Sequence, residues 1–171
     1  MINHLIPQNI FRFLLLLVLQ LAVLNNIGLG SVIVPNILIL FVLMLPTNLG
    51  RTPMLLLAFV SGLILDICSN ILGIQAFSFT MVAMARILFA DRILLGNEPV
   101  TISRPSFRTV SFQHFSIYSL ILLLIYYICY ILLESFSFHN VGLMILTIIL
   151  NVVVSWVLII LYQLLFVHEE E

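Results

Sequence analysis

The sequence predicts an all-α integral membrane protein of six transmembrane helices forming one domain, residues 1–171. Three observations predict it. Hydrophobic residues make up 63% of the chain and charged residues 8%, against roughly a quarter charged in a soluble domain. The stretch 13–50 carries no charge at all, which is too long for one membrane helix and long enough for two. All six basic residues are arginines, and the six-span count puts five of them at or near one side of the membrane.

Helix 1 is predicted near 10–26. Its apolar run from Phe13 to Leu24 follows Arg12, and no small-residue cleavage pattern comes after it, so it reads as a retained span. Asn25, Asn26, Gly28, Gly30 and Ser31 supply a turn. Helix 2 is predicted near 32–48, with Pro35 in its first turn, where a missing N–H is tolerated. The break from Pro46 to Pro53 leads into helix 3 near 53–68. Ser69, Asn70 and Gly73 form a tight turn, and helix 4 follows near 74–94. Residues 95–114 are polar and Pro-containing and form the only long aqueous loop. Helix 5 is predicted near 115–134 and helix 6 near 141–167. Helices 2 and 3 are short: about 16 residues give roughly 24 Å, against a hydrocarbon core of about 30 Å. They extend into their flanks, sit in a locally thinned bilayer, or form a re-entrant pair.

In this scheme Arg12, Arg51, Arg92, Arg104 and Arg108 fall at one side, and Arg86 approaches it along helix 4. The loops at 27–31, 69–73 and 135–140 hold no Arg or Lys. Positive charge favours the cytoplasm. Both termini are therefore expected there, in a multi-pass protein of the bacterial cytoplasmic membrane.

The motifs of soluble enzymes are missing. The chain has no Lys and so no phosphate-binding loop of the Gly-Lys-Ser/Thr type, and it has no His-Glu-x-x-His. The four histidines lie at separate membrane edges, so no metal or other cofactor is expected. A net charge of −1 with no basic cluster argues against nucleic acid. Cys68 and Cys129 read as small buried hydrophobes, with a disulfide near the outer face as the other reading.

Polar residues inside apolar helices are the candidate functional groups. Ala58, Gly62 and Asp66 recur at i, i+4 and i+8 and share a face. Small residues there admit a neighbouring helix, so this face is a candidate packing seam or partner interface. Asp66 is either a polar contact within that seam or a residue at the outer interface. Arg86 is expected to snorkel inward, toward Asp91 or Glu98. Tyr118, Tyr126, Tyr130 and Glu134 form a stripe on helix 5, beside Tyr127. Thr147, Asn151 and Ser155 form another on helix 6, and Gln20 lies in helix 1. Such stripes hydrogen-bond neighbouring helices or line a cavity.

Three sequence features carry a family resemblance. They are Pro35-Asn36, the run Ser61-Gly62-Leu63-Ile64-Leu65-Asp66, and the turn Leu72-Gly73-Ile74-Gln75-Ala76-Phe77. With the six-span layout and the polar loop after helix 4, the chain resembles the bacterial rod shape-determining protein MreD family. The resemblance implies a fold similar to the substrate-binding subunits of energy-coupling-factor vitamin transporters. It implies no enzymatic activity, but a membrane scaffold of the elongation machinery that inserts peptidoglycan along the side wall. The expected partners are the single-span protein MreC, directly, and MreB, RodA and a transpeptidase in the same machinery. The interface candidates are then Ala58, Gly62, Asp66, Gly73, Ala76 and Phe77. A vitamin-binding transporter subunit is the alternative, although helix 1 has Ala22 alone where those subunits carry Ala-x-x-x-Ala.

Overall fold

In the computed structural model the backbone is described for residues 2–24, 33–46, 49–71, 73–94, 111–135 and 141–166. The regular structure among them is helical. Helix α1 spans Ile2–Leu19 and continues as one wider turn over Gln20–Leu24. A short α2 covers Ile39–Leu43, followed by α3 (Arg51–Ser69), α4 (Ile74–Leu94), α5 (Phe112–Ser135) and α6 (Val141–Phe166). Helices α3 to α6 match their predicted spans to within a few residues. The turns expected at 27–31 and 135–140, nearly all of the 95–114 loop, and His139 and His168 lie outside the described residues.

Helix 2 is the correction. Where a helix is expected over 32–48, residues 33–37 form no regular structure, Leu38 is a turn, and only five residues are helical. Pro35 starts this departure. The residue before a proline is pushed away from helical geometry, which disfavours a helix through Val34. The Asn36 side chain then accepts the Leu38 N–H at 3.0 Å, a local turn that competes with helix formation. Every residue from Pro35 to Pro46 is buried. This segment threads the middle of the bundle, touching α1, α4 and α5.

Among the described residues, three helices are long and apolar enough to cross a membrane: α3, α5 and the Val141–Leu165 part of α6. The apolar parts of α1 and α4, Asn9–Ala22 and Ile74–Phe89, are shorter. The outward faces fit a lipid surrounding. Leu56, Phe59, Val60 and Ile67 on α3, and Leu143, Leu146, Val153 and Leu161 on α6, are exposed apolar side chains. So many exposed apolar groups on long apolar helices belong in hydrocarbon. Cys68 is exposed on α3, not buried as expected, and neither Cys68 nor Cys129 is in a disulfide.

Packing runs in chain order, α3 on α4, α4 on α5, and α5 on α6. The α3–α4 hairpin closes tightly. Asn70 takes a left-handed conformation (φ 55°) and its N–H bonds the Asp66 carbonyl. Gly73 is also left-handed, at φ 73°, which glycine adopts without steric cost. At Gly62 the backbones nearly touch. A Cβ there would lie 2.6 Å from Ala76 Cα and 2.7 Å from the Gln75 carbonyl oxygen. Both obstacles are backbone and cannot swing aside.

Gly62→Ala should therefore lower stability by about 1–3 kcal/mol through overpacking. Gly142→Ala, with nothing within 4 Å of its Cβ position, should leave stability unchanged or slightly raised. Thermal unfolding of both variants in lipid nanodiscs checks the contrast.

Candidate functional site: a buried polar network around residues 34–45

An unwound segment inside a bundle has backbone N–H and C=O groups with no helical partner. Each such group left bare in an apolar interior costs several kcal/mol. Side chains from four helices answer this need.

At the first half of the segment, Gln20 forms a two-point clamp. Its Nε2 donates to the Pro35 carbonyl at 3.0 Å, and its Oε1 accepts the Ile37 N–H at 2.9 Å. The wider turn at the end of α1 begins at Gln20. From α6, Asn151 Oδ1 accepts the Val34 N–H at 2.7 Å, while its Nδ2 donates to the Thr147 carbonyl at 2.8 Å. The Asn36 N–H reaches two hydroxyls, Tyr127 on α5 at 3.0 Å and Ser155 on α6 at 3.1 Å. Those two hydroxyls are hydrogen-bonded to each other at 2.5 Å.

The Asn36 side chain joins this layer to α4 and α5. Its Nδ2 donates to Gln75 Oε1 at 3.1 Å and to the Tyr126 hydroxyl at 2.6 Å. Tyr126 in turn donates to Gln75 Oε1 at 2.5 Å. Asn36, Gln75, Tyr126, Tyr127 and Ser155 are all at least 95% buried. Ring packing reinforces the tyrosines: Tyr126 meets Tyr127 edge-on at 4.9 Å, Phe79 edge-on at 5.5 Å, and stacks on Tyr130 at 5.9 Å.

Asp66 anchors the start of α4. Its two carboxylate oxygens accept the N–H groups of Gln75 and Ala76, at 3.0 and 2.9 Å. These are first-turn donors with no partner inside their own helix, and a carboxylate at a helix N-terminus also meets a favourable dipole. Asp66 is 2% exposed. Of the two sequence readings, the structure has the polar contact within the seam.

The second half of the segment is held by Arg86 and Tyr118. The guanidinium donates through Nη1 to the Val42 carbonyl at 2.6 Å and through Nη2 to the Leu45 carbonyl. The Tyr118 hydroxyl donates to the Leu43 carbonyl at 3.2 Å. Arg86 is 1% exposed. The expected snorkelling toward the membrane edge is thus corrected: the charge turns into the bundle, onto carbonyls at and just beyond the end of α2, which a cation suits. The side chains of Asp91 and Glu98 lie outside the described residues.

The candidate interface residues take definite places. Ala58, Gly62 and Asp66 are buried, and Gly62 and Asp66 meet the start of α4. The seam is filled by this chain's own helix, so a partner helix cannot reach Gly62; the partner-surface half of that expectation is corrected. Ala76 is buried, while Gly73 and Phe77 are exposed. Tyr130, Glu134, Thr147 and Asn151 border a cavity beside Val34. Tyr130 and Asn151 are buried and Thr147 half-buried, but Glu134, expected in the interior at the end of its stripe, is exposed because it stands in the last turn of α5. Sequence reasoning missed Asn36, Gln75 and Arg86 as network members. Their signal was a polar side chain within an otherwise apolar run.

No protein-family model matches the chain, and neither does any curated protein or solved structure.

Gln20→Leu leaves the Pro35 carbonyl and Ile37 N–H unpaired, and Asp66→Ala does the same to two N–H groups of α4. Each should destabilise by about 1–3 kcal/mol per orphaned group. Hydrogen exchange should rise at Ile37 in the first variant and at Gln75 and Ala76 in the second, leaving α6 protected.

Proposed function

We propose that this protein is a non-enzymatic membrane scaffold of the MreD type, acting in side-wall peptidoglycan synthesis and cell shape. One observation carries the reading. The three sequence features that resemble that family meet at a single buried node. Asn36 bonds Gln75, Asp66 caps the helix that Gln75 and Ala76 begin, and Gly62 lies against Ala76. Residues scattered over some 40 positions are thereby coupled physically, as expected if they specify one architecture.

The node's chemistry suits a scaffold. Its hydrogen-bonding groups are spent on the chain's own backbone, which fixes the relative positions of α1, α4, α5 and α6. The outer faces of α3 and α6 stay apolar. Association there proceeds by close packing rather than by hydrophobic burial, because lipid is equally apolar. In this reading the single-span protein MreC docks on such a face. Both termini lie in the cytoplasm, and MreB, RodA and a transpeptidase work in the same assembly.

The arginine placement supports that orientation. Arg86 reaches the Leu45 carbonyl, close in sequence to Arg51, and Arg12 interacts with Tyr162 near the end of α6. In this reading the arginines at the helix ends mark the cytoplasmic side.

Depletion of the protein in a rod-shaped host should round the cells and disperse new peptidoglycan from the side wall. Affinity purification should recover MreC. Cells that keep their rod shape, with no MreC recovered, would overturn the reading.

A further inference from the structure

The apolar surfaces on the two sides of the bundle differ in height. On α3 the outward side chains are apolar from Pro53 to Cys68, with exposed Thr52 before them and exposed Asn70 after. About 16 residues rise roughly 24 Å. On α4 the apolar stretch Ile74–Phe89 has about the same rise, and Asp91 and Arg92 follow it in the sequence. The two stretches form one surface. Gly62 packs against Ala76, and Asp66 accepts the Gln75 and Ala76 N–H groups, so their register is fixed.

Tilting the hairpin can only lower this height, and a hydrocarbon core is about 30 Å thick. Arg51 is exposed at the start of α3 and can reach back to water along its own stem. Asn70 and Gly73, exposed at the other end, have no such reach. The bilayer must therefore come to them.

Helix α6 presents the opposite case. Its 25-residue apolar stretch runs from Val141 to Leu165, and both end residues are exposed. Its polar side chains at Asn151, Ser155 and Gln163 are buried. The stretch rises about 37 Å, and a tilt of about 40°, the top of the usual range, still leaves about 28 Å. We propose that the bilayer is thinned against the α3–α4 hairpin, on the side of the Asn70–Gly73 turn, and keeps its full thickness at α6. The hairpin then takes phospholipids with short acyl chains as its neighbours. A shortfall of several ångströms is met by thinning at a modest cost per ångström. The proposal does not rest on the cell-shape reading, since no partner enters its test.

The test places one tryptophan on each face of the purified full chain and measures its quenching by brominated phosphatidylcholines in reconstituted bilayers. Trp156→Phe removes the native indole. Phe59→Trp or Leu63→Trp then reports on α3, and Val153→Trp on α6; all three positions are exposed apolar sites. Brominated chains of about 14, 18 and 22 carbons compete with the host lipid. The α3 reporters should favour the shortest chains over the longest by about twofold or more, and the α6 reporter should show the reverse order. The same preference at both faces, a preference for the longer chains at α3, or α3 reporters shielded from every lipid would overturn the proposal. Phe59→Trp and Leu63→Trp serve as independent reporters of one face, so a folding defect in either leaves the other to decide.

Discussion

Residues 33–46 cross the interior of the bundle without a continuous helix, and the need to satisfy their backbone organises the structure around them. In a membrane no water is at hand to complete a stray N–H or C=O. Non-helical backbone at depth persists only where protein surrounds it and supplies partners. Gln20, Asn151, Tyr127, Ser155, Tyr118 and Arg86 do this from α1, α4, α5 and α6. Removing the segment would leave these polar side chains facing one another or facing lipid. Removing the side chains would leave the segment's backbone bare. Each half explains the other.

The same requirement accounts for the division of the helices into faces. Polar residues gather on inward stripes, and the outward stripes of α6 and of α3 beyond its first turn are apolar. Hydrogen bonds between membrane helices are individually modest, typically about 0.6–2 kcal/mol. Their number and their convergence on one segment fix a single arrangement. The α3–α4 hairpin adds a second constraint, where Gly62 lets two backbones meet and Asp66 caps the helix that follows. A closely packed hairpin and a stapled core segment leave a body with apolar flanks.

Much of this was legible in the residue order. Low charge and long apolar runs dictate lipid as the solvent. Turn-forming residues mark where the chain reverses, and the left-handed Asn70 and Gly73 stand where the sequence puts a tight turn. Polar residues at four-residue spacing on α5 and α6 mark the inward stripes, since spacing of that kind sets which residues share a helix face. The i, i+4, i+8 series of Ala58, Gly62 and Asp66 marks a close-packed seam.

Tertiary structure decided what fills each seam and what each polar stripe holds. Periodicity tells which side chains look the same way, but not what lies opposite. The face at Gly62 takes α4 of the same chain, and Asp66 finds backbone donors nine and ten residues onward. The fate of residues 32–48 was beyond local reading altogether. Their apolar composition suits a helix, and one proline near the start is no bar to it. Only a supply of hydrogen-bond partners at sequence separations of 15 to 119 residues makes the non-helical form tolerable. Such partners exist only once the bundle has assembled.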